Sequence, residues 1–325
     1  KYASSFGISA VRENIDGIGV RIVAPGTFFT DHRKINDEYL EKLKSAQKIA
    51  PLHIAPVLDE IKSLRSMFPA TTIFGISDSE FHKNIPRWAR LYSIPNRDAE
   101  RFDIYRFGYH GISIQSIVRK LRDSNQVYHR VIVCHLGGGS SITALIDGKS
   151  IDTSMGFTPD EGVPMTTRVG TIDAAAVVYL IKNLNPEDLP EYFSLKSGLL
   201  GISGQSADIR QLLELEAKGD IKSHEALNLY VYQISKYIGS YCAALGGIDC
   251  IIFTGTVGQR SAVIRSRVLS GFQWLGVVLD DNKNVNVIDG GGEIMSDYSR
   301  VKIFVISTKE VDEIAFLTRA MINAV

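Results

Sequence analysis

Residues 18–23 form a β-branched run between Gly17 and the Pro25-Gly26 turn and predict a short buried strand. Asn36 can cap a helix over 37–48, which must stop before Pro51 because the residue preceding a proline leaves the helical region. Pro56 suits the first turn of a second helix that ends near residue 67, ahead of Pro69. Residues 71–76 read as another buried strand closing on Ser77-Asp78. The clearest pattern is the apolar run 131–136, then Gly137-Gly138-Gly139, residues 140–146, an Asp147-Gly148 turn and residues 150–154. It predicts a three-stranded antiparallel meander, with a hairpin turn of the Asp-Gly type favoured by strand twist.

Asp173 can cap a helix over 174–182. A longer amphipathic helix spans about 224–245, with Leu227, Val231, Ile234 and Ile238 on one face and Gly246-Gly247 as its stop. Residues 250–253 predict a buried strand, 254–258 a glycine-containing loop and 261–269 a helix. Residues 301–306 are the last strand, after which Ser307 opens the final helix. Alternating strands and helices predict an α/β architecture. The pattern restarts after residues 81–90, which marks a domain boundary there.

Composition narrows the class. The 325 residues suffice for two domains. Lys and Arg number 36 against 36 Asp and Glu, so the basic excess of a nucleic-acid binder is missing. No apolar run approaches the ~18 residues of a membrane span, and no signal-peptide core follows Lys1. Cys134, Cys242 and Cys250 sit among apolar neighbours without C-x-x-C spacing, which predicts buried free thiols in a reducing cytoplasm.

Two glycine turns, at 137–141 and 255–261, offer the backbone N–H groups that cradle phosphates, though neither fits the Walker A or G-x-G-x-x-G pattern. Arg21 lies inside an apolar strand and needs either a salt-bridge partner or an anion, since burying it unpaired costs several kcal/mol. Arg168, in a polar loop, poses the same choice. Ser307-Thr308-Lys309-Glu310 has capping-box spacing, which would fold Glu310 back onto the last helix.

Taken together, several stretches resemble the acetate kinase family, within the superfamily of sugar kinases, actin and Hsp70-type ATPases. They include Gly19-Val20-Arg21-Ile22-Val23, Ala50-Pro51-Leu52-His53, Asp78-Ser79-Glu80-Phe81-His82 and Arg106-Phe107-Gly108-Tyr109-His110-Gly111. The match continues in order through His135-Leu136-Gly137-Gly138-Gly139, Asp152-Thr153-Ser154-Met155-Gly156-Phe157-Thr158-Pro159, Ser206-Ala207-Asp208-Ile209-Arg210, Phe253-Thr254-Gly255 and Thr308-Lys309-Glu310. The resemblance implies two RNase H-like domains with a cleft between them, the first from 1–82 plus 311–325 and the second, nucleotide-binding, from 83–310. It implies reversible Mg²⁺-dependent transfer of the ATP γ-phosphoryl to a small carboxylate, acetate or propionate, in a cytoplasmic homodimer. Arg21, Asp78, His110 and Arg168 would be catalytic, and Glu310 a Mg²⁺ contact. His135, Leu136, Gly137, Gly138, Gly139, Asp208, Arg210, Thr256, Val257, Gly258, Gln259 and Arg260 would hold the nucleotide. Val23, Leu52, Tyr109 and Pro159 would form the pocket for the acyl tail. The long helix with Tyr230, Tyr232, Tyr237 and Tyr241 would lie either at a dimer interface or on its own sheet.

The chain departs from the family pattern in places. The family opens on a strand and an Asn-x-Gly-Ser-Ser-Ser turn; Ser4-Ser5 is no equivalent, which implies an N-terminally incomplete first domain. Gly138 stands for the usual Asn of its loop, Tyr109 for the usual Phe, and Gly255-Thr256-Val257-Gly258-Gln259-Arg260 for Gly-Gly-Ile-Gly-Glu-Asn. Two alternatives follow: a catalytically impaired nucleotide-binding homologue, or a kinase of butyrate or a branched-chain acid.

Overall fold

The computed structural model describes residues 15–287 and 291–324, so the expectation about Ser4-Ser5 lies outside the described residues. The chain forms two β-sheets covered by helices. The smaller contains β1 (Ile18–Ile22), β2 (Arg33–Lys34) and β3 (Ile73–Ser77) in the order β1-β3-β2. Strands β1 and β3 are parallel, with Arg21 opposite Ile76. Val20, Ile22 and Ile73 share a core with Tyr39 and Leu43 of α1 (Asp37–Ala46) and with Ile54 and Ile61 of α2 (Pro51–Met67). Phe74 and Ile76, one strand position out of phase with Ile73, pack instead with Leu317 of the C-terminal helix. Asn36 caps α1 as its side chain suggests, accepting the Tyr39 N–H at 2.8 Å. Helix α2 begins earlier than expected: Pro51 takes the first turn, where its missing N–H is harmless, and Pro56 lies inside the helix.

The larger sheet contains β4 (Arg130–Leu136), β5 (Ser140–Ile146), β6 (Lys149–Thr153), β7 (Cys250–Thr254), β8 (Gly292–Glu293) and β9 (Lys302–Val305), in the order β6-β5-β4-β7-β9-β8. The predicted meander is there, and its hairpin turns through positive φ at Asp147 (50°) and Gly148 (72°). Helix α3 (Gly111–Asp123) covers one face, where Ile114, Ile117 and Leu121 meet Val131, Val133 and Ile252. Along the chain α4 (Ala174–Asn183) and α5 (Leu189–Leu195) follow the meander, then α6 (Ile209–Ala217) and α7 (Ile221–Ala244). Helix α7 covers the other face, packing Leu227, Ile234 and Ile238 against Ile132, Cys134, Ile251 and Phe253. It starts at Ile221 because Asp220 caps it through the Ser223 N–H. Tyr230 and Tyr241 belong to the same core, and the Tyr230 hydroxyl meets Ser140 Oγ at 3.0 Å, so this helix serves its own sheet.

Two local expectations change. The segment after β7 is a helical turn, α8 (Gly255–Arg260), running into α9 (Ala262–Leu269), which Ser261 caps. The capping box at the last helix, α10 (Glu310–Asn323), does not form. Ser307 Oγ donates to Gln259 Oε1 at 3.0 Å, and the Glu310 carboxylate turns toward Arg21, so long-range partners win over the local ones. All three cysteines are buried and unpaired. Among the described residues no helix is long and apolar enough to cross a membrane.

Candidate functional site

Arg21 leaves β1 toward the first residue beyond β3. Its Nη2 lies 2.9 Å from Asp78 Oδ2 and its Nη1 3.1 Å from Glu310 Oε2, so one guanidinium joins carboxylates from two distant segments. Asp78 is fully buried, and its Oδ2 also accepts the His110 backbone N–H at 2.7 Å. Its Oδ1 is buried without a hydrogen-bond partner. Burial alone would push the Asp78 carboxyl up; the Arg21 guanidinium and the His110 N–H reverse this and hold it below the usual carboxylate range. At Glu310 burial prevails over Arg21 and the carboxyl is raised.

His110 takes φ 61° at the start of α3. Its ring stacks on His135 with centroids 4.1 Å apart. His110 Nδ1 pairs with Ser141 Oγ at 3.0 Å, and His135 Nδ1 with Ser113 Oγ at 2.8 Å. Burial lowers both, His110 well below its ordinary value and His135 to about 4, so both rings are neutral at pH 7. A Cβ on Gly139 would stand 3.1 Å from Arg168 Nη1 and 3.2 Å from His110 Nε2, which places both side chains over the glycine turn. These groups enclose a cavity of about 300 Å³ lined by Arg21, Val23, His53, Asp78, Tyr109, His110, His135, Gly139, Pro159, Arg168 and Glu310.

A larger cavity of about 820 Å³ lies on the other side of the same turn. Parallel strands β4 and β7 end together, with His135 opposite Thr254, so both glycine turns leave one edge of the sheet. Gly255 sits at φ +75°, where a Cβ would lie 2.5 Å from the Leu136 carbonyl oxygen. Only glycine meets both demands. Gly137, Gly138, Asp208, Arg210, Thr256, Val257 and Arg260 line this cavity, with an apolar wall from Ile209, Leu213, Val263 and Val285. Thr166 fixes the first turn by donating to the Gly138 carbonyl at 2.9 Å.

The structure therefore gathers most of the residues singled out from sequence, with five relocated. His135 lines the charged cavity rather than the larger one, and Leu136 is buried in the core. Gly258 and Gln259 lie beneath the larger cavity, where their carbonyls accept Arg265 Nη1 at 2.9 and 2.7 Å. Leu52 lines a third cavity, beside the charged one. Sequence reading missed Arg265, although a charge amid the apolar 262–269 segment is the same signal that Arg21 gives. It also missed Asp160, whose Oδ1 lies 3.5 Å from Arg168 Nε, and His53 as a cavity wall.

Residues 3–316 match the family described as the acetokinase family. The chain belongs to the acetokinase family. It is 37% identical over 324 residues to an acetate kinase of Caldicellulosiruptor bescii, covering 98% of this chain and 81% of that protein. It is 41% identical to an acetate kinase of Carboxydothermus hydrogenoformans, over 94% of this chain and 77% of the relative. Among solved structures, a propionate kinase from Francisella tularensis superposes with a TM-score of 0.90 at 34% identity, over 98% of this chain and 83% of the other. Acetokinases are ATP-dependent phosphotransferases with a carboxyl group as acceptor, and their two-domain α/β fold is the one described above.

Proposed function

We propose that this acetokinase transfers the γ-phosphoryl of Mg-ATP to acetate or propionate in the cavity between Arg21 and Arg168, with the nucleotide seated in the 820 Å³ cavity across the Gly137–Gly138–Gly139 turn. The observation that supports it most is the abutment of two cavities at one glycine turn, one charged and small, the other large and half apolar. Phosphoryl transfer passes through a loose transition state that needs positioning and charge stabilisation more than covalent chemistry. Arg21 and Arg168 supply two positive charges to the acid's carboxylate and the transferring group. His110, neutral and anchored through Nδ1, presents its Nε2 edge without adding charge. Val23, Tyr109 and Pro159 leave a small apolar wall for the acyl tail. One methylene more or less in such a pocket is worth only about 1–3 kcal/mol, so the two acids overlap as substrates.

Magnesium fits the residues present. The ion takes one or two carboxylates and completes its shell with substrate phosphates and water. Glu310 would hold it, and the unpartnered Asp78 Oδ1 is a second oxygen available beside it. When bound, the ion neutralises phosphate charge. Burial of all three thiols fits a cytoplasmic home. A homodimer is supported by α4, which has no buried residue and exposes Val178, Tyr179 and Ile181. Residues 15–82 with 311–324 form the acid-side domain and 83–310 the nucleotide domain.

The reaction is tested by trapping the acyl phosphate with hydroxylamine after incubation with Mg-ATP and either acid. Hydroxamate is expected well above an Arg21→Ala control, and a signal equal to that control overturns the proposal.

A further inference from the structure

The charged cavity has a neighbour of about 320 Å³ on the other side of Pro159. Its walls come from the start of α2 (Ile49, Pro51, Leu52) and from the segment around α5 (Leu189, Pro190, Phe193). These walls are apolar, yet four polar groups interrupt them: His53, Thr158, Asp160 and Ser194. His53 belongs to both cavities. Ser194 Oγ donates to Asp160 Oδ2 at 2.8 Å. Asp160 Oδ1 and His53 Nε2 are both buried and have no hydrogen-bond partner. Buried polar atoms are nearly always satisfied; here Asp160 Oδ1 has only the Arg168 guanidinium at ion-pair distance, 3.5 Å, and His53 Nε2 has no partner, so unused hydrogen-bonding capacity collects at one small cavity.

We propose that this cavity is a second subsite for the acid, which receives the hydroxyl end of a short ω-hydroxycarboxylic acid while its carboxylate stays with Arg21 and Arg168. The inference rests on the placing of the carboxylate proposed above. Asp160 Oδ1 lies 3.5 Å from Arg168 Nε, so a carboxylate held by that guanidinium is a few bonds from this oxygen. Charge sets the class of the far group. The Asp160 carboxylate repels a second anion and accepts from an O–H. An ammonium is disfavoured, because Arg168 and Arg21 lie near enough that their positive charge, after burial, also keeps His53 neutral. A neutral imidazole can accept or donate to a hydroxyl. The chemistry is that of the parent reaction: a carboxylate oxygen forms the new P–O bond, the bond to the ADP oxygen breaks, and the hydroxyl is untouched.

The test compares kcat/KM for 3-hydroxypropionate and propionate, and for 4-hydroxybutyrate and butyrate, at fixed Mg-ATP. The wild-type protein is expected to favour at least one hydroxy acid over its parent by about tenfold, through KM, as a site built to hydrogen-bond a hydroxyl does. Asp160→Leu should abolish that ratio. Because Asp160 touches Arg168, a second variant, Ile49→Trp, fills the cavity from its half-exposed rim. It should abolish the ratio while propionate turnover stays within about twofold of wild type. A wild-type ratio near one means that water alone occupies the cavity and overturns the inference, as does a ratio that survives both variants. Failure of propionate and acetate alike sinks the proposed reaction instead, so the two failures are distinguishable.

Discussion

Arg265 donates from Nε to Asn284 Oδ1 across 2.7 Å, in a pocket where the arginine is 1% exposed and meets no carboxylate among the described residues. Nη1 donates to the Gly258 and Gln259 carbonyls and Nη2 to the Asn284 carbonyl. Burial pulls its pKa down to about 10, which still leaves it charged at neutral pH. A cation that braces the end of the second glycine turn is a positioning residue for the cavity proposed to seat the nucleotide. Arg265→Met leaves several buried carbonyls unpaired, at about 1–3 kcal/mol each. The expected result is a lower Tm together with a KM for ATP raised about tenfold and a KM for the acid unchanged. Arg265→Lys cannot reproduce the planar fork and should recover only part.

Arg21 carries both charge and pKa control. Arg21→Ala should lower kcat by about 10²–10³, the scale of losing one transition-state charge contact. It also leaves burial as the main influence on Asp78, whose carboxyl must then rise. A pH–rate profile should show the acidic limb moving to higher pH in the variant; an unmoved limb would place the working carboxylate elsewhere.

Stability should fall in mild acid. His82 is fully buried, accepts at Nδ1 from Ser150 Oγ at 2.8 Å and donates from Nε2 to the Tyr109 carbonyl at 3.0 Å. Burial depresses His82 and His135 from 6.5 to about 4. Below 6.5 the unfolded chain takes up protons that the folded one refuses, so the stability contributed by the neutral rings is complete above 6.5 and lost as pH falls toward 4. The loss is on the order of 3 kcal/mol per histidine across that window. Thermal melts at pH 7, 6, 5 and 4 should show it, and His82→Gln should melt lower at pH 7 but with a shallower pH slope.

The exposed apolar side of α4 predicts self-association. Replacing Tyr179, 69% exposed, by Glu should shift sedimentation from dimer to monomer with little change in Tm. A dimer that persists in Tyr179→Glu and Val178→Glu places the interface elsewhere.

Much of this was legible in the chain because the signals were local. Gly137-Gly138-Gly139 between two apolar runs announces its turn, and an arginine inside an apolar strand announces an anion or a partner. What escaped depended on distance. Glu310 has the spacing of a capping box, but Arg21, 289 positions away, holds its carboxylate instead. Helix α3 was missed because His110 in a left-handed conformation, not a Ser or Asp cap, begins it. Leu52 was placed by resemblance on the acyl pocket, yet its position near the start of α2 turns it to the cavity beyond His53. Asp160 could not be read at all, since its partners Arg168 and Ser194 meet it only in the folded loop.

The pairing of β4 with β7 makes catalytic competence all-or-none for each molecule. A slip of one residue would reverse every side chain along those strands and part the two glycine turns at once. Molecules with that defect contribute no turnover rather than weak or altered turnover. Under refolding, heat or ageing, specific activity should then count the intact fraction of the population, while the KM values of the survivors stay constant.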